Sequence, residues 1–140
     1  MNATGKVVIL SAVRTPIGKF RGALSGESAP SLGKLAIRKA LAMASLKPNQ
    51  VGYAIMGNVL SAGLGQAPAR QAAIASGLPI TCSALTVNKV CASGLAATVL
   101  ASQIVKSEDA DIIVAGGMES MSQSPHVLKH NRTGKRMGNW

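Results

Sequence analysis

The chain predicts an α/β fold: a mostly parallel β-sheet with helices on both faces, in the order βαβαβαβ. Three observations carry that prediction. Short β-branched, apolar runs alternate with longer segments whose apolar residues recur every three to four positions. The runs are almost continuously apolar, as in strands covered on both faces rather than one. Apolar residues make up 47% of the sequence but aromatics only 2%, so the core must close through Ala, Val, Ile, Leu, Met and Gly at short interelement distances.

The elements follow in order. Lys6-Val7-Val8-Ile9-Leu10-Ser11-Ala12-Val13 reads as the first strand, ended by Arg14-Thr15-Pro16-Ile17-Gly18. Residues 18–30, rich in Gly, Ser and Ala, read as a surface loop. Ser31 can cap a helix running to about Ser45, with Leu32, Leu35, Ala36, Ala40 and Met43 on its apolar stripe. Lys47-Pro48-Asn49 stops it. Residues 51–60 contain a second strand, and 61–68 a loop. Ala69 to Ser76 is a short helix ended by Gly77 and Pro79. Ala84-Leu85-Thr86-Val87 is a third strand. Ala92 to Lys106 is a helix so rich in small residues that burial on most sides is expected. Asp111-Ile112-Ile113-Val114-Ala115 is a fourth strand, ended by Gly116-Gly117. Beyond Ser120 the periodicity dissolves into a polar, basic stretch, and the chain reads as stopping inside something larger.

Composition narrows the function. With 140 residues the chain suffices for one domain. Its two cysteines, Cys82 and Cys91, are neither a disulfide framework nor a metal pair, so both read as free thiols and no metal is expected. No apolar run reaches membrane-spanning length, and the start resembles neither a signal peptide nor a presequence. A cytoplasmic setting and no membrane association are the expectations. The net charge of +10 points to an anionic partner. The scarcity of aromatic rings and the lack of any nucleic-acid motif argue against nucleic acid and for a phosphate-bearing ligand. The densest cationic stretch, Lys129, Arg132, Lys135 and Arg136 around Thr133-Gly134, is either a solvated loop or part of such a site.

Cys91 is the leading candidate for chemistry. It lies where the third predicted strand gives way to the third helix, in Thr86-Val87-Asn88-Lys89-Val90-Cys91-Ala92-Ser93-Gly94. A thiol there faces the N–H groups and positive dipole end of a helix, which favour thiolate, and a thiolate is a competent acyl acceptor. Free cysteine is also among the most buried residue types, so position alone leaves both a nucleophile and a packed thiol open. Asn88 suits a side-chain-to-backbone hydrogen bond in the turn before Cys91. Gly94, Gly116 and Gly117 suit close backbone approach around the helix and the fourth strand.

Five segments resemble the thiolase family, in the family's order and across nearly the whole chain. They are Val8 to Gly18; Met56-Gly57-Asn58-Val59-Leu60 with Ala62 to Ala72; Val87 to Gly94; Val114 to Ser122; and Arg136-Met137-Gly138. Within the family the likeness is strongest to the biosynthetic type, the acetyl-CoA acetyltransferases. The resemblance implies residues 1–120 as an incomplete N-terminal domain, its last strand missing, and 121–140 as the beginning of an inserted loop domain. It implies an acyl-thioester formed on Cys91, whose backbone N–H serves as one oxyanion donor. Asn88, Gly94, Gly116 and Gly117 are expected to support the site, and Cys82, where the sequence departs from the family pattern, is expected to be a structural thiol.

The implied substrates are acetyl-CoA, acetoacetyl-CoA and coenzyme A, with no covalently bound cofactor. The implied role is lipid metabolism in a homodimer or homotetramer, with Gly63 to Gln71 near a subunit contact. Lys129, Arg132, Lys135 and Arg136 would face coenzyme A. The family's Gly-His-Pro, Asn-Glu-Ala-Phe and Cys-Gly-Gly-Gly motifs do not occur in this sequence, and His126 and His130 stand in no such motif. The expectation is therefore negligible turnover by this chain alone. Two alternatives stand beside the leading one: a degradative 3-ketoacyl-CoA thiolase, and a non-catalytic fragment acting by subunit association.

Overall fold

The computed structural model describes residues 6–128 and Gly134. Its centre is a three-stranded, all-parallel sheet in the order β2-β1-β3, with β1 at Tyr53–Gly57, β2 at Ser83–Val87 and β3 at Ile113–Gly117. The strands run in register, with Ile55 opposite both Leu85 and Ala115. Each is short and ends at a Gly or Val whose successor turns away, so the three carboxyl ends lie side by side.

Helix α1 covers Ala29–Met43, α2 Pro68–Ser76 and α3 Ser93–Lys106; single 3-10 turns lie at Pro48–Gln50 and Met121–Gln123. The pleat of β1 divides the core. Ala54 and Met56 pack with Ala29, Ile37 and Leu41 of α1 and Ala69, Ala72 and Ala73 of α2, while Ile55 packs against Ala97 and Ala101 of α3. Helices therefore lie on both faces, and a strand buried on both sides is almost continuously apolar for that reason.

Four local expectations change. First, Lys6 to Val13 is extended but joins no sheet, so the described order is αβαβαβ rather than βαβαβαβ. A cavity of ≈ 640 Å³ is lined by this segment, β3 and the inner sides of α1 and α3, and among the described residues nothing pairs with the outer edge of β3. High β-propensity makes a segment extended; pairing requires a neighbour within ladder distance. Ile9 is consequently 79% exposed, and one anchor visible here is the Ser11 hydroxyl, which donates to the Ala40 carbonyl at 2.9 Å.

Second, Ser28 rather than Ser31 caps α1: its hydroxyl accepts from the Ser31 N–H at 3.2 Å, and the Ser31 hydroxyl turns to Glu27. Third, the buried stripe of α1 is Ala29, Gly33, Ile37 and Leu41, with Leu35 half exposed. α1 meets an alanine-rich helix, and Gly33 allows the close approach: a Cβ there would lie 3.2 Å from the Ala72 Cβ. Fourth, α3 buries only Ser93, Ala97 and Ala101; the row carrying Leu95 and Val99 is open to solvent. Helix α2 ends at Gly77, which adopts φ 99° as a left-handed C-cap.

Candidate active site

The carboxyl ends of β1, β2 and β3 open onto a cavity of ≈ 590 Å³ lined by Gly57 to Leu60, Val90, Cys91, Ser93, Gly94 and Gly117 to Glu119. Parallel sheets place ligand sites in this position because the loops leaving the strands converge there. Cys91 sits in the connection from β2 to α3, two residues before the helix begins, and its side chain is exposed.

The connection is held tightly. The Asn88 side-chain carbonyl accepts from the Val90 N–H at 3.0 Å, and its amide group donates to the Val59 carbonyl at 3.4 Å. The Ser93 hydroxyl accepts from the Lys89 N–H at 2.8 Å and donates to the Val90 carbonyl at 2.6 Å. Val90 itself adopts φ 50°, a left-handed conformation that a β-branched residue rarely takes. Two side chains on one turn thus impose an unfavourable backbone angle directly before the thiol.

Helix α3 meets the sheet through backbone rather than side chains. A Cβ built on Gly57 would lie 2.6 Å from the Ser93 carbonyl carbon, and one on Gly117 would lie 3.3 Å from the Gly94 Cα. The requirement for glycine at position 57 arises only from the tertiary approach of α3. Gly116 is corrected in the other direction: its added Cβ would make ordinary contact with Met56, at 3.7 Å, because its missing side chain faces a flexible methionine tip.

The lining of the cavity also contains two residues to which the sequence assigned no role, Asn58 and Glu119. Asn58 is 2% exposed. Its amide group donates to the Met118 carbonyl at 3.2 Å and to Glu119 Oε1 at 2.9 Å. Glu119 also accepts from the Val59 N–H at 2.8 Å and the Leu60 N–H at 3.2 Å. Met118 N–H in turn donates to the Gly57 carbonyl at 2.9 Å. Among the described residues Asn58 Oδ1 has no partner; turning the amide over would set that oxygen against Met118 O and Glu119, so its orientation is forced. A Gly-Asn next to a predicted strand end was the available signal.

The second thiol is of a different kind. Cys82 is 1% exposed; burial pushes its thiol above the ordinary range, and the nearby Arg70 guanidinium offsets this in part. The Arg70 guanidinium donates to the Cys82 and Ile80 carbonyls. Gln71 holds the loop before α2 by donating to the Leu64 and Gln66 carbonyls at 2.7 and 2.8 Å, which fixes the shape of the Gly63 to Gln71 segment. His126 is exposed in the described chain. Lys129, Arg132, Lys135 and Arg136, the basic stretch read from the sequence, lie outside the described residues, as does His130. Among the described residues no cluster of His, Cys, Asp and Glu could hold a metal ion.

The model of the thiolase N-terminal domain matches residues 7–140. The chain is 56% identical to an acetyl-CoA acetyltransferase of Cupriavidus necator over 132 residues, 94% of this chain and 34% of that protein. It is 52% identical to a probable acetyl-CoA acetyltransferase of Escherichia coli over 95% of this chain and 34% of that one. Among solved structures it is similar to the Acat5 thiolase of Ascaris suum, crystallised in complex with coenzyme A. The TM-score is 0.84 and the identity 44%, over 86% of this chain and 32% of that one. The chain thus spans about a third of the length of the curated relatives it matches. On this evidence, together with the strand–turn–helix that presents Cys91, the chain belongs to the thiolase family and corresponds to its N-terminal domain.

Proposed function

We propose that this chain carries the acyl-accepting thiol of an acetyl-CoA C-acetyltransferase, a longer enzyme that condenses two molecules of acetyl-CoA to acetoacetyl-CoA and runs the reverse thiolysis. The observation that carries the reading is the placement of Cys91. It is an exposed thiol at the head of α3, beside a cavity at the carboxyl ends of a parallel sheet, held by Asn88 and Ser93.

The chemistry follows. The Cys91 thiolate attacks the carbonyl carbon of acetyl-CoA, and the backbone N–H of Cys91 supplies one donor to the tetrahedral oxyanion. The C–S bond to coenzyme A breaks, coenzyme A departs with a proton, and an acetyl thioester remains on Cys91. A second acetyl-CoA then gives up a C2 proton, and its carbanion attacks the acetyl carbon. Acetoacetyl-CoA leaves, and the thiolate is restored. By family likeness the C2 base and further groups of the oxyanion site belong to motifs this sequence lacks, so this chain takes up the acetyl group without completing the cycle. Lys129, Arg132, Lys135 and Arg136 suit the phosphates of coenzyme A. A homodimer or homotetramer, a cytoplasmic setting and a part in lipid metabolism complete the proposal.

The test is transfer of radiolabelled acetyl from acetyl-CoA, mapped by peptide mass spectrometry. Label confined to Cys91 and lost in Cys91→Ser supports the reading. Label absent, or equal on Cys82, overturns it.

A further inference from the structure

We propose that Glu119 is a positioning residue for Cys91, acting across the tips of the three strands through the 58–60 segment and Asn88. The inference rests on the reading of Cys91 as the acyl acceptor and adds a residue to it. The chain has five acidic residues. Glu27, Glu108, Asp109 and Asp111 are exposed, whereas Glu119 is half-buried at the end of β3. Its carboxylate is spent on three N–H donors of one short segment: the Asn58 side chain, the Val59 amide and the Leu60 amide. Hydrogen bonds to an ionised acceptor are the stronger kind, and a carboxylate can accept all three without presenting a donor of its own.

The segment so held touches the Cys91 connection twice. The Asn58 N–H donates to the Val87 carbonyl at 3.0 Å, and the Val59 carbonyl accepts from Asn88. Asn88 in turn accepts from Val90, the residue forced into a left-handed angle one position before the thiol. A strained angle persists only where its surroundings over-determine it. Glu119 fixes the outer end of that constraint, 28 residues beyond Cys91 in the sequence and in the lining of the same cavity. Replacing the carboxylate by an amide sets an NH₂ group against N–H donors on one side.

The experiment measures amide hydrogen exchange and acetyl uptake in the full 140-residue chain carrying Cys82→Ala, with Glu119→Gln and Asn88→Ala compared. In Glu119→Gln the Val59 and Leu60 amides are expected to exchange about tenfold faster or more, the size of one lost charged hydrogen bond. The Val90 amide should accelerate with them while Ile55 holds. In Asn88→Ala the Val90 amide alone should be released. Acetyl uptake from acetyl-CoA should fall roughly tenfold in Glu119→Gln, while alkylation by iodoacetamide, which builds no oxyanion, stays within about twofold.

Release of Val59 and Leu60 with Val90 unchanged, or unaltered acetyl uptake, overturns the proposal. If Glu119→Gln does not fold, Glu119→Asp must still move the Val59, Leu60 and Val90 amides together, and separate behaviour overturns it. A parent chain that takes no acetyl group refutes the role of Cys91 and leaves the exchange pattern to decide that of Glu119.

Discussion

Gly57→Ala is the substitution whose outcome the geometry constrains most. The added methyl carbon would stand 2.6 Å from the Ser93 carbonyl carbon, 2.7 Å from the Ser93 Cβ and 2.8 Å from the Gly94 nitrogen. Two of these are backbone atoms of the first turn of α3, so no rotamer change relieves them. Either α3 withdraws until those contacts reach the 3.4 Å at which ordinary packing begins, or β1 bows away from it. Both loosen the layer in which Ile55 packs against Ala97 and Ala101.

Overpacking of this kind costs about 1–3 kcal/mol, which for a chain of this size is a fall in melting temperature of roughly 3–12 °C. The control is Gly116→Ala, whose methyl would make ordinary contact at 3.7 Å and whose effect should stay within about 0.5 kcal/mol. Circular dichroism melts of both variants and the parent, at one protein concentration, decide the matter. Because the clash falls on Ser93, which braces Val90, the Cys91 acetylation rate should fall in Gly57→Ala as well. A Gly57→Ala chain as stable as Gly116→Ala would refute the backbone-contact reasoning.

Three further outcomes follow from the same structure. Iodoacetamide should modify exposed Cys91 in the folded chain and reach buried Cys82 only after denaturant is added; equal native rates would contradict the burial. Burial holds Cys82 protonated in the fold, so its contribution to stability is complete below the ordinary thiol value of 9.0 and is lost as pH rises beyond it. Melts between neutral pH and pH of about 10 should therefore decline more steeply in the parent than in Cys82→Ala, and parallel curves would refute this. Among the described residues the outer edge of β3 is unpaired, and Val8, Ile9 and Leu10, which share a cavity with it, are exposed, so pairing and apolar surface occur together. Light scattering should detect self-association of the parent that Val8→Lys with Ile9→Lys reduces; a monodisperse single-chain mass for the parent would argue otherwise.

Much of this architecture is legible in the linear sequence because local pattern and tertiary role coincide. Tyr53–Gly57 is apolar on successive residues because helices cover both its faces, and Gly77 ends α2 because a left-handed cap was needed there. Legibility fails where the deciding fact is who the neighbour is. Lys6 to Val13 has every property of a strand except a partner. Leu35 lies on an apolar stripe but faces away from the alanine-rich helix that α1 meets. At the site, Cys91 and Asn88 stand in one short run and can be read together. Gly57 acts on the first turn of α3, and Asn58 and Val59 meet Glu119 across some sixty positions, so the local Gly-Asn marks a strand end without naming its partners.

The left-handed angle at Val90 sets a trade-off for anyone seeking a sturdier form of this chain. Glycine would adopt that angle freely, and Val90→Gly would release strain of about 1–3 kcal/mol, less the entropy a glycine adds to the unfolded chain. What it removes is the stiffness of the residue next to the thiol. A selection for thermal stability alone would be drawn to this position, and it would exchange a defined direction of approach at Cys91 for a more comfortable backbone.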